Sequence, residues 1–144
     1  MKNIKRIIRF LCLFIVFSML LSTSAFAVTR ASDYISTYSG YCYSAGSNTV
    51  QVWFDISAKT YVDQLGSTTI HLYESTDNSS WSEVKTFSYT YYPSMMRSNN
   101  YTHGSHVSYY SAIPGRYYYA LITVTVVNGS NSESRVFSTY SIQA

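Results

Sequence analysis

The stretch VQVWFDIS, residues 50–57, alternates almost strictly between apolar and polar side chains. Because successive side chains of a β-strand point to opposite sides, Val50, Val52, Phe54 and Ile56 share one face. We expect this face to contact a hydrophobic core, and the other face to meet solvent or a partner. Trp53 is the aromatic exception on the polar face, where it is either covered by the chain's own loops or available to a ligand.

The same period of two recurs along the chain, and clusters of Gly, Asn, Asp and Ser separate the alternating segments. No apolar stripe of helical period and useful length is found after the first 27 residues. This pattern predicts an all-β fold of seven antiparallel strands arranged as a β-sandwich. The predicted strands are residues 34–45, with a bulge at Gly40, and residues 49–58, 67–75, 81–89, 103–112, 117–127 and 134–142.

Short polar segments at residues 46–48, 77–80 and 128–129 predict tight turns between neighbouring strands. Asx side chains favour such turns because they hydrogen-bond to the backbone two residues on. The Asn-Gly pair at residues 128–129 is the favoured hairpin dipeptide. Residues 63–66 and 93–100 are interpreted as irregular connections, and the strand at 117–127, apolar on both faces, as a central one.

The first 27 residues have the three parts of a secretory signal peptide. A basic start is followed by an apolar run at residues 10–21 and by an Ala-x-Ala cleavage pattern at residues 25–27. The sequence therefore predicts a signal peptide at residues 1–27 and a single exported domain at residues 28–144, which begins at Val28.

Removal of this signal changes the net charge from +3 to −1, because it takes four of the ten cations and none of the seven carboxylates. A near-neutral domain with scattered charges offers no basic surface for nucleic acid or for an anionic membrane. No later apolar run approaches the roughly 20 residues that span a bilayer. We therefore expect a monomer that has no nucleic-acid partner and no membrane span.

The residues of the predicted domain do not suggest a catalytic or metal site. Cys42 is its only thiol, since Cys12 lies in the signal, so no internal disulfide can form. His103 and His106 project to opposite faces of a regular strand, which does not suit a shared metal. No serine lies in a nucleophile elbow, and no two carboxylates form a close sequence pair. We predict no catalytic residue, no metal ligand and no cofactor.

Tyrosine is the feature with binding potential, because all 16 tyrosines and both tryptophans remain after the signal is removed. Tyrosine rings supply rigid, amphipathic contact area at low entropic cost, and flat rings can stack on sugars. Alternatively, they replace Leu and Phe in the core and on strand surfaces. The candidate ligand contacts are Trp53, Tyr91, Tyr92, Tyr101 and Tyr109.

Residues 113–122, IPGRYYYALI, resemble the fibronectin type III pattern: an apolar residue, Pro-Gly, two variable residues, Tyr and alternating apolar residues. The resemblance implies an immunoglobulin-like sandwich with Tyr118 as a tyrosine corner, whose hydroxyl bonds back to the backbone. It gives Pro114 and Gly115 a structural role before that strand. Phe54 departs from the pattern, which usually has Trp at that place.

The wider segment 62–139 is similar to a group of small secreted proteins of Gram-positive bacteria, mostly Clostridia-like, to which no function is attached. The similarity rests on DQLGSTTI at 63–70, YES at 73–75, WSEVKTF at 81–87, Met95-Met96 and Tyr118-Tyr119-Ala120. It brings no catalytic residues with it.

Together these patterns predict a secreted, non-catalytic β-sandwich protein that binds an unidentified protein outside the cell or at the cell surface. The alternative is a carbohydrate-binding module with an aromatic platform of Tyr and Trp53, and a secreted hydrolase ranks third. A row of exposed, coplanar aromatic rings on one sheet face would favour the sugar ligand. Aromatic side chains that are buried or gathered at loop tips would count against it.

Overall fold

The structure is a computed structural model that describes Ser32–Ala144. The predicted signal peptide at residues 1–27 and the predicted start at Val28 lie outside the described residues. The strands are β1 Ile35–Gly46, β2 Thr49–Ser75, β3 Ser82–Ser88, β4 Met96–Tyr109, β5 Tyr117–Asn128, β6 Asn131–Ser138 and β7 Ile142–Gln143, with a short 3-10 helix at Pro93–Met95. Within Ser32–Ala144 no helix is long and apolar enough to cross a membrane.

All seven strands belong to one antiparallel sheet that is built around β2. One edge of β2 pairs first with β1 and then with β5, and the other edge pairs first with β4 and then with β3. β6 and β7 both add to β5. The prediction of an all-β fold with seven antiparallel strands is therefore confirmed.

The central strand β2 is 27 residues long and bends along its course. Its ladders are irregular between Ser57 and Val62 and between Ser67 and Thr69, and such irregularities bend and twist a strand. The sheet therefore curls into a half-barrel. We refer to β1, the start of β2 and the end of β4 as the first half, and to the end of β2, β3, β5 and β6 as the second half.

Gly66 lies in the bent segment of β2, opposite the start of β4. Its φ of +152° is in the region that favours glycine. A Cβ atom at this position would lie 2.8 Å from the Cα of Met96 and closer still to the carbonyl oxygen of Met95. The missing side chain therefore lets β4 begin directly against the bend.

The core lies inside the curl, where the apolar faces of both halves meet. Val50, Val52 and Phe54 expose 0% of their surface and Ile56 exposes 1%, so the inward face predicted for residues 50–57 is confirmed. The alternate residues of β5 predicted to share one face are equally buried: Tyr118, Ala120, Ile122, Val124 and Val126. Because burying one such apolar side chain contributes about 1.5–3 kcal/mol, this core can stabilise the domain without a disulfide.

Residues 59–66 do not form the connection that was predicted around 63–66. They continue β2 without interruption, so the predicted strands 49–58 and 67–75 are a single strand. Residues 62–66 pair with β4 on one side, and residues 64–66 also pair with β5 on the other. These ladders outweigh the turn-forming tendency of Asp63 and Gly66, because pairing context decides strand formation more than intrinsic preference does.

Two further strands differ from the prediction. β4 begins at Met96 and not at His103, because residues 96–100 pair with residues 62–66 of β2. The predicted last strand, 134–142, is divided into β6 and β7, because the Ala120 amide donates to the Thr139 side-chain hydroxyl at 3.0 Å and the ladder ends there. The count of seven strands is therefore reached with different members.

The predicted bulge at Gly40 is wrong. Gly40 pairs regularly with Phe54, and the irregularities of β1 lie between Ile35 and Thr37 and between Ser44 and Gly46. A Cβ on Gly40 would lie 2.7 Å from the side chain of Ile122, so the glycine serves close packing of β1 against β5.

The three predicted turns are confirmed. β1 and β2 are joined at residues 46–48. β5 and β6 are joined at residues 129–130, one residue later than predicted, because Asn128 still pairs with Asn131. In the turn at 77–80, one Asp77 carboxylate oxygen accepts the amides of Ser79 at 2.9 Å and Ser80 at 2.8 Å. The Ser80 amide is the main cause that holds the pKa of Asp77 well below its ordinary value.

Candidate functional site

The five aromatic residues predicted as ligand contacts lie at different places. Trp53 is half-buried on the outer face of the first half. Tyr92 and Tyr109 line a cleft between β3 and β4. The other two residues lie away from Trp53 and from the cleft. Tyr91 is in the turn after β3 and is 83% exposed, and Tyr101 is in the first part of β4 and is 48% exposed. The structure therefore does not bring all five together on one platform.

Three aromatic side chains form a row across the outer face of the first half. Tyr41 of β1, Trp53 of β2 and His106 of β4 are direct cross-strand partners. The planes of Tyr41 and Trp53 differ by 1° with centroids 6.3 Å apart, and those of Trp53 and His106 differ by 18° with centroids 4.4 Å apart. We refer to these three residues as the aromatic row.

Within the aromatic row, Trp53 and His106 stack face to face, whereas Tyr41 and Trp53 are parallel but their ring centres are farther apart. Nearly parallel rings reach a centroid distance of 4.4 Å only when they stack, so His106 covers one face of Trp53. The Trp53 indole donates to the Gln51 side-chain oxygen at 3.3 Å, and the Tyr43 hydroxyl donates to the same oxygen. The row is thus held in place, and it presents ring edges and polar tips outward.

An exposed carboxylate lies beside the aromatic row. Asp55 is on the same face of β2 as Trp53 and is paired with Gly104 of β4. A Cβ atom on Gly104 would collide with the Asp55 carboxylate, lying 3.3 Å from its Cγ. Glycine at 104 therefore leaves room for the Asp55 side chain to reach across β4, and the outer face combines aromatic edges with a negative charge.

A cleft of about 430 Å³ opens at the end of the row, since His106 belongs to both. Its lining residues come from β3, β4 and the segments that follow them, and β3 and β4 pair with the same edge of β2 on either side of its bend. None of its lining residues is acidic, so Lys85 gives the cleft a positive charge. The lining residues are Lys85, Tyr92, His106, Val107, Ser108, Tyr109, Tyr110 and Ser111.

A second aromatic cluster covers the outer face of the second half. Tyr73 and Tyr119 stack with centroids 5.0 Å apart, and Trp81 meets Tyr119 edge-on at 4.7 Å. Burial, and then the neighbouring Tyr73, raises the pKa of Tyr119. All three side chains are half-buried, so this cluster fastens the β2–β3 hairpin to β5 and offers little free ring surface.

Tyr118 is fully buried and forms the centre of a polar network. Its hydroxyl accepts the Ile113 amide at 2.8 Å and donates to the Glu74 carboxylate, which also binds the Arg116 guanidinium. Burial, followed by the hydrogen bond to Glu74, raises the pKa of Tyr118 to about 12. A bond from the hydroxyl to the backbone a few residues upstream is the arrangement that a tyrosine corner requires.

Pro114 and Gly115 form the exposed turn that leads into β5. Gly115 has a φ of +83°, and its amide donates to the Ala144 carbonyl at 2.6 Å. The Ala144 amide in turn donates to the Arg116 carbonyl at 2.9 Å. Gly115 and Arg116 therefore hold Ala144 beside the start of β5.

Cys42 is 5% exposed, and its sulfur lies 3.3 Å from the Thr139 hydroxyl. Burial raises the pKa of the Cys42 thiol to about 11, although the hydrogen bond between the thiol and Thr139 opposes this. The thiol is therefore protonated at neutral pH, and a buried, protonated thiol is a poor nucleophile.

The three histidines lie in separate environments. His71 is 3.3 Å from the Glu83 carboxylate, His103 packs edge-on against the buried ring of Phe54 at 5.9 Å, and His106 stacks in the aromatic row. His103 and His106 thus point to opposite faces of β4, as predicted. In the part of the chain that the structure describes, no three His, Cys, Asp or Glu side chains lie close enough to hold a metal.

Sequence reasoning found Trp53 but missed its neighbours Tyr41 and His106. A signal for Tyr41 was present, because the predicted turn at 46–48 places residues 41 and 53 opposite each other. No local signal pointed to His106, because its position depends on long-range pairing of β4 with β2.

Comparison with protein-family models, with curated proteins and with solved structures finds no match to this chain.

Proposed function

We propose that this chain is an exported, non-catalytic binding protein that contacts a partner protein outside the cell, or at its surface, through the outer face of the first half. The observation that carries the proposal is the aromatic row. Its residue Tyr41 is 52% exposed, His106 is exposed and Trp53 is half-buried between them. Tyr and Trp side chains at the centre of a surface patch are typical of interaction hot spots.

The aromatic row is already ordered before a partner arrives. Stacking on His106 fixes the Trp53 ring, and the Trp53 indole is also hydrogen-bonded to Gln51. Ordering a mobile side chain on binding costs about 0.5–1.5 kcal/mol, and this cost is small for side chains that are already held. Asp55 beside the row favours a partner surface that carries a cation opposite it. The proposed partner surface is therefore one with an exposed Lys or Arg among apolar contacts.

A glycan is the second candidate, and two tyrosines outside the row favour it. Tyr91 and Tyr110 are 83% and 75% exposed, and within Ser32–Ala144 neither ring contacts another ring. Sugars stack on free ring faces, and these two rings provide them. The aromatic row provides less, because His106 covers one face of Trp53. For this reason we rank a protein partner first.

The proposal includes export through a signal peptide at residues 1–27, kinship with small secreted proteins of Gram-positive bacteria, and an immunoglobulin-like, fibronectin type III-like sandwich for the curled sheet. The basic start, apolar run and Ala-x-Ala pattern support export. The hydrogen bond between the Tyr118 hydroxyl and the Ile113 amide supports the kinship with fibronectin type III domains. Amino-terminal sequencing of protein from the medium tests export, with Val28 expected as the first residue and Met1 as the contrary result.

The binding function is tested by capture from the medium and surface of the producing cells, with the immobilised protein as bait and mass spectrometry as readout. A Tyr41→Ser, Tyr43→Ser variant removes two exposed rings from the outer face. A Tyr61→Ser, Tyr101→Ser variant is the matched control, since it removes a contacting, exposed pair elsewhere.

We expect a partner that the unaltered and control baits retain and that the Tyr41, Tyr43 variant retains about tenfold less well, the loss typical of a hot spot. Equal retention of every captured protein by all three baits would refute the assignment of the outer face. A glycan array is run beside the capture. Sugar binding that requires Tyr91 or Tyr110 would favour the second candidate, and a blank array would remove it.

A further inference from the structure

Consecutive residues of one strand line the cleft, from His106 of β4 through Ser111 just beyond its end. Successive side chains of a strand point to opposite faces. A cleft on one face would therefore meet only alternate residues. Contact with both sets means that the cleft runs along the outer edge of β4, where the backbone itself is accessible.

The direction of the peptide groups on this edge follows from the ladders of β2. The Phe54 carbonyl oxygen lies 3.6 Å from the position of a Cβ on Gly104 of β4, and the Trp53 carbonyl oxygen lies 2.9 Å from that of a Cβ on Gly40 of β1. Peptide groups of a strand alternate between its two neighbours. In this part of β2 the even-numbered residues therefore bond to β4 and the odd-numbered residues bond to β1.

The same alternation applies to β4. Val52 bonds to its partner Val107, so the amide and carbonyl groups of His106 and Ser108 point away from β2 and into the cleft. Among the described residues no strand pairs with this edge. The cleft thus contains unpaired backbone donors and acceptors at the spacing of a β-ladder.

The edge of β4 also lacks the features that usually protect a free edge. Proteins guard such edges with charged side chains, Pro or bulges. Residues 103–109, HGSHVSY, contain no Lys, Arg, Asp, Glu or Pro, and their ladder to β2 is regular. By contrast, β3 carries Glu83 and Lys85, and β6 carries Glu133 and Arg135. The β4 edge therefore lacks the charged side chains that β3 and β6 carry.

We propose that the outer edge of β4 at residues 106–110 binds an extended peptide segment of a partner protein as an added β-strand, with a carboxylate of the peptide facing Lys85. In strand addition, main-chain hydrogen bonds supply affinity and contacts to alternate side chains supply specificity. The inner side of the cleft offers Tyr92, Val107 and Tyr109 to apolar residues of the peptide. Lys85, with no acidic residue in the lining, selects the acidic group.

The volume of about 430 Å³ lies within the range of roughly 300–1,000 Å³ that is usual for ligand sites. This inference rests on the proposed role in binding a protein, but its surface differs from the aromatic row and meets it only at His106. The two can therefore be tested separately.

The test begins with a display library of random heptapeptides, from which binders to the immobilised protein are selected. The protein is purified from the culture medium of the producing cells. The selected peptides are expected to alternate apolar and polar residues and to contain an acidic residue. Affinity is measured by fluorescence anisotropy with labelled synthetic peptides. Each peptide is also made in two N-methylated forms. One form lacks the amide hydrogens along one edge of the extended peptide, and the other form lacks those along the opposite edge.

Strand addition requires that one N-methylated form loses affinity by about tenfold or more, while the other binds like the parent. Replacement of the acidic residue by Lys is expected to weaken binding. Because these comparisons use the unaltered protein, they hold even if a protein variant fails to fold. Selection of no peptide, or equal binding of both N-methylated forms, would overturn the proposal.

Protein variants locate the site. Ser108→Pro removes an amide that points into the cleft and breaks no bond to β2, and proline is tolerated at such edge positions. Ser108→Ala is the matched control that keeps the amide. We expect a loss of about tenfold for Ser108→Pro and none for Ser108→Ala, with circular dichroism unchanged. Full binding by Ser108→Pro would overturn the proposal.

Two other outcomes are informative. A concentration-dependent dimer that Ser108→Pro abolishes would also overturn the proposal, because the occupant would then be a second copy of the chain. If no peptide binds while partner capture still depends on Tyr41 and Tyr43, this inference falls and the proposed function stands.

Discussion

Substitution of Tyr118 by Phe removes one hydroxyl from the middle of the fold and leaves the ring in place. The hydroxyl accepts the Ile113 amide and donates to Glu74. A neutral hydrogen bond contributes about 0.5–1.5 kcal/mol and one to a charged group about 1.5–3 kcal/mol. Ile113 is 44% exposed, so its amide can turn to water, whereas the Glu74 side chain is only 10% exposed. The loss at Glu74 therefore dominates.

Glu74 keeps its ion pair with Arg116, so we place the total loss at about 2–3 kcal/mol rather than at the upper limit of the sum. For a domain of this size that corresponds to a fall of about 10 °C in Tm. Urea unfolding followed by the fluorescence of Trp53 and Trp81 measures it, with an unchanged m value as the sign that the same structure unfolds.

Tyr119→Phe is the matched control, since Tyr119 is the next residue of β5, on the opposite face, and its hydroxyl makes no hydrogen bond within the described residues. We expect this control to change stability by about 0.5 kcal/mol or less. If Tyr118→Phe were as mild as Tyr119→Phe, the hydroxyl network would contribute nothing to stability and the reasoning would be refuted.

Three further predictions concern stability and local opening. Gly66→Ala is expected to lower the free energy of unfolding in urea by about 3 kcal/mol or more, because the new Cβ would collide with β4. Gly46→Ala, which has open space around it, should lower it by only about 1–2 kcal/mol, and similar values for both variants would contradict the close approach at the bend. Burial raises the pKa of Cys42 from 9.0 to about 11 in the folded state, so the stability that the protonated thiol contributes below pH 9 should fall between pH 9 and pH 11 by about 1.4 kcal/mol per pH unit. A Cys42→Ala variant should lack this dependence of the free energy of unfolding on pH. Glu133→Ala should speed hydrogen exchange of the Tyr34 amide, measured by mass spectrometry, because the Glu133 carboxylate accepts that amide at 2.8 Å; unchanged exchange would show that the start of β1 is held by other contacts.

The parts of the fold that follow from local alternation were predictable. The inward face of residues 50–57 is determined by the two-residue period of a strand, and it is buried as expected. The pairing of Tyr41 with Trp53 could also have been predicted, since a tight turn at 46–48 determines which residues of β1 and β2 face each other. Two of the three residues of the aromatic row could therefore be predicted from the sequence.

The remaining parts depend on contacts between distant segments. His106 joins the row only because β4 pairs with β2, on the edge opposite to β1. Its partner in this ladder, Trp53, lies more than 40 residues earlier in the chain. The prediction of a connection at residues 63–66 is wrong, because Asp63 and Gly66 favour turns locally while two long-range ladders hold this segment extended. The cleft could not be predicted for the same reason, since Lys85 and residues 106–111 come from different segments that long-range ladders attach to β2.

The continuity of β2 has a consequence for how the protein comes apart. One covalent strand is the middle of both halves, so neither half retains a centre once the other has lost its share of β2. Heat, denaturant or a protease cut between residues 57 and 69 should therefore disrupt both halves in a single cooperative step, without a persistent half-folded fragment. A tensile load applied through a bound partner would likewise be shared along one backbone and would not separate two weakly joined modules.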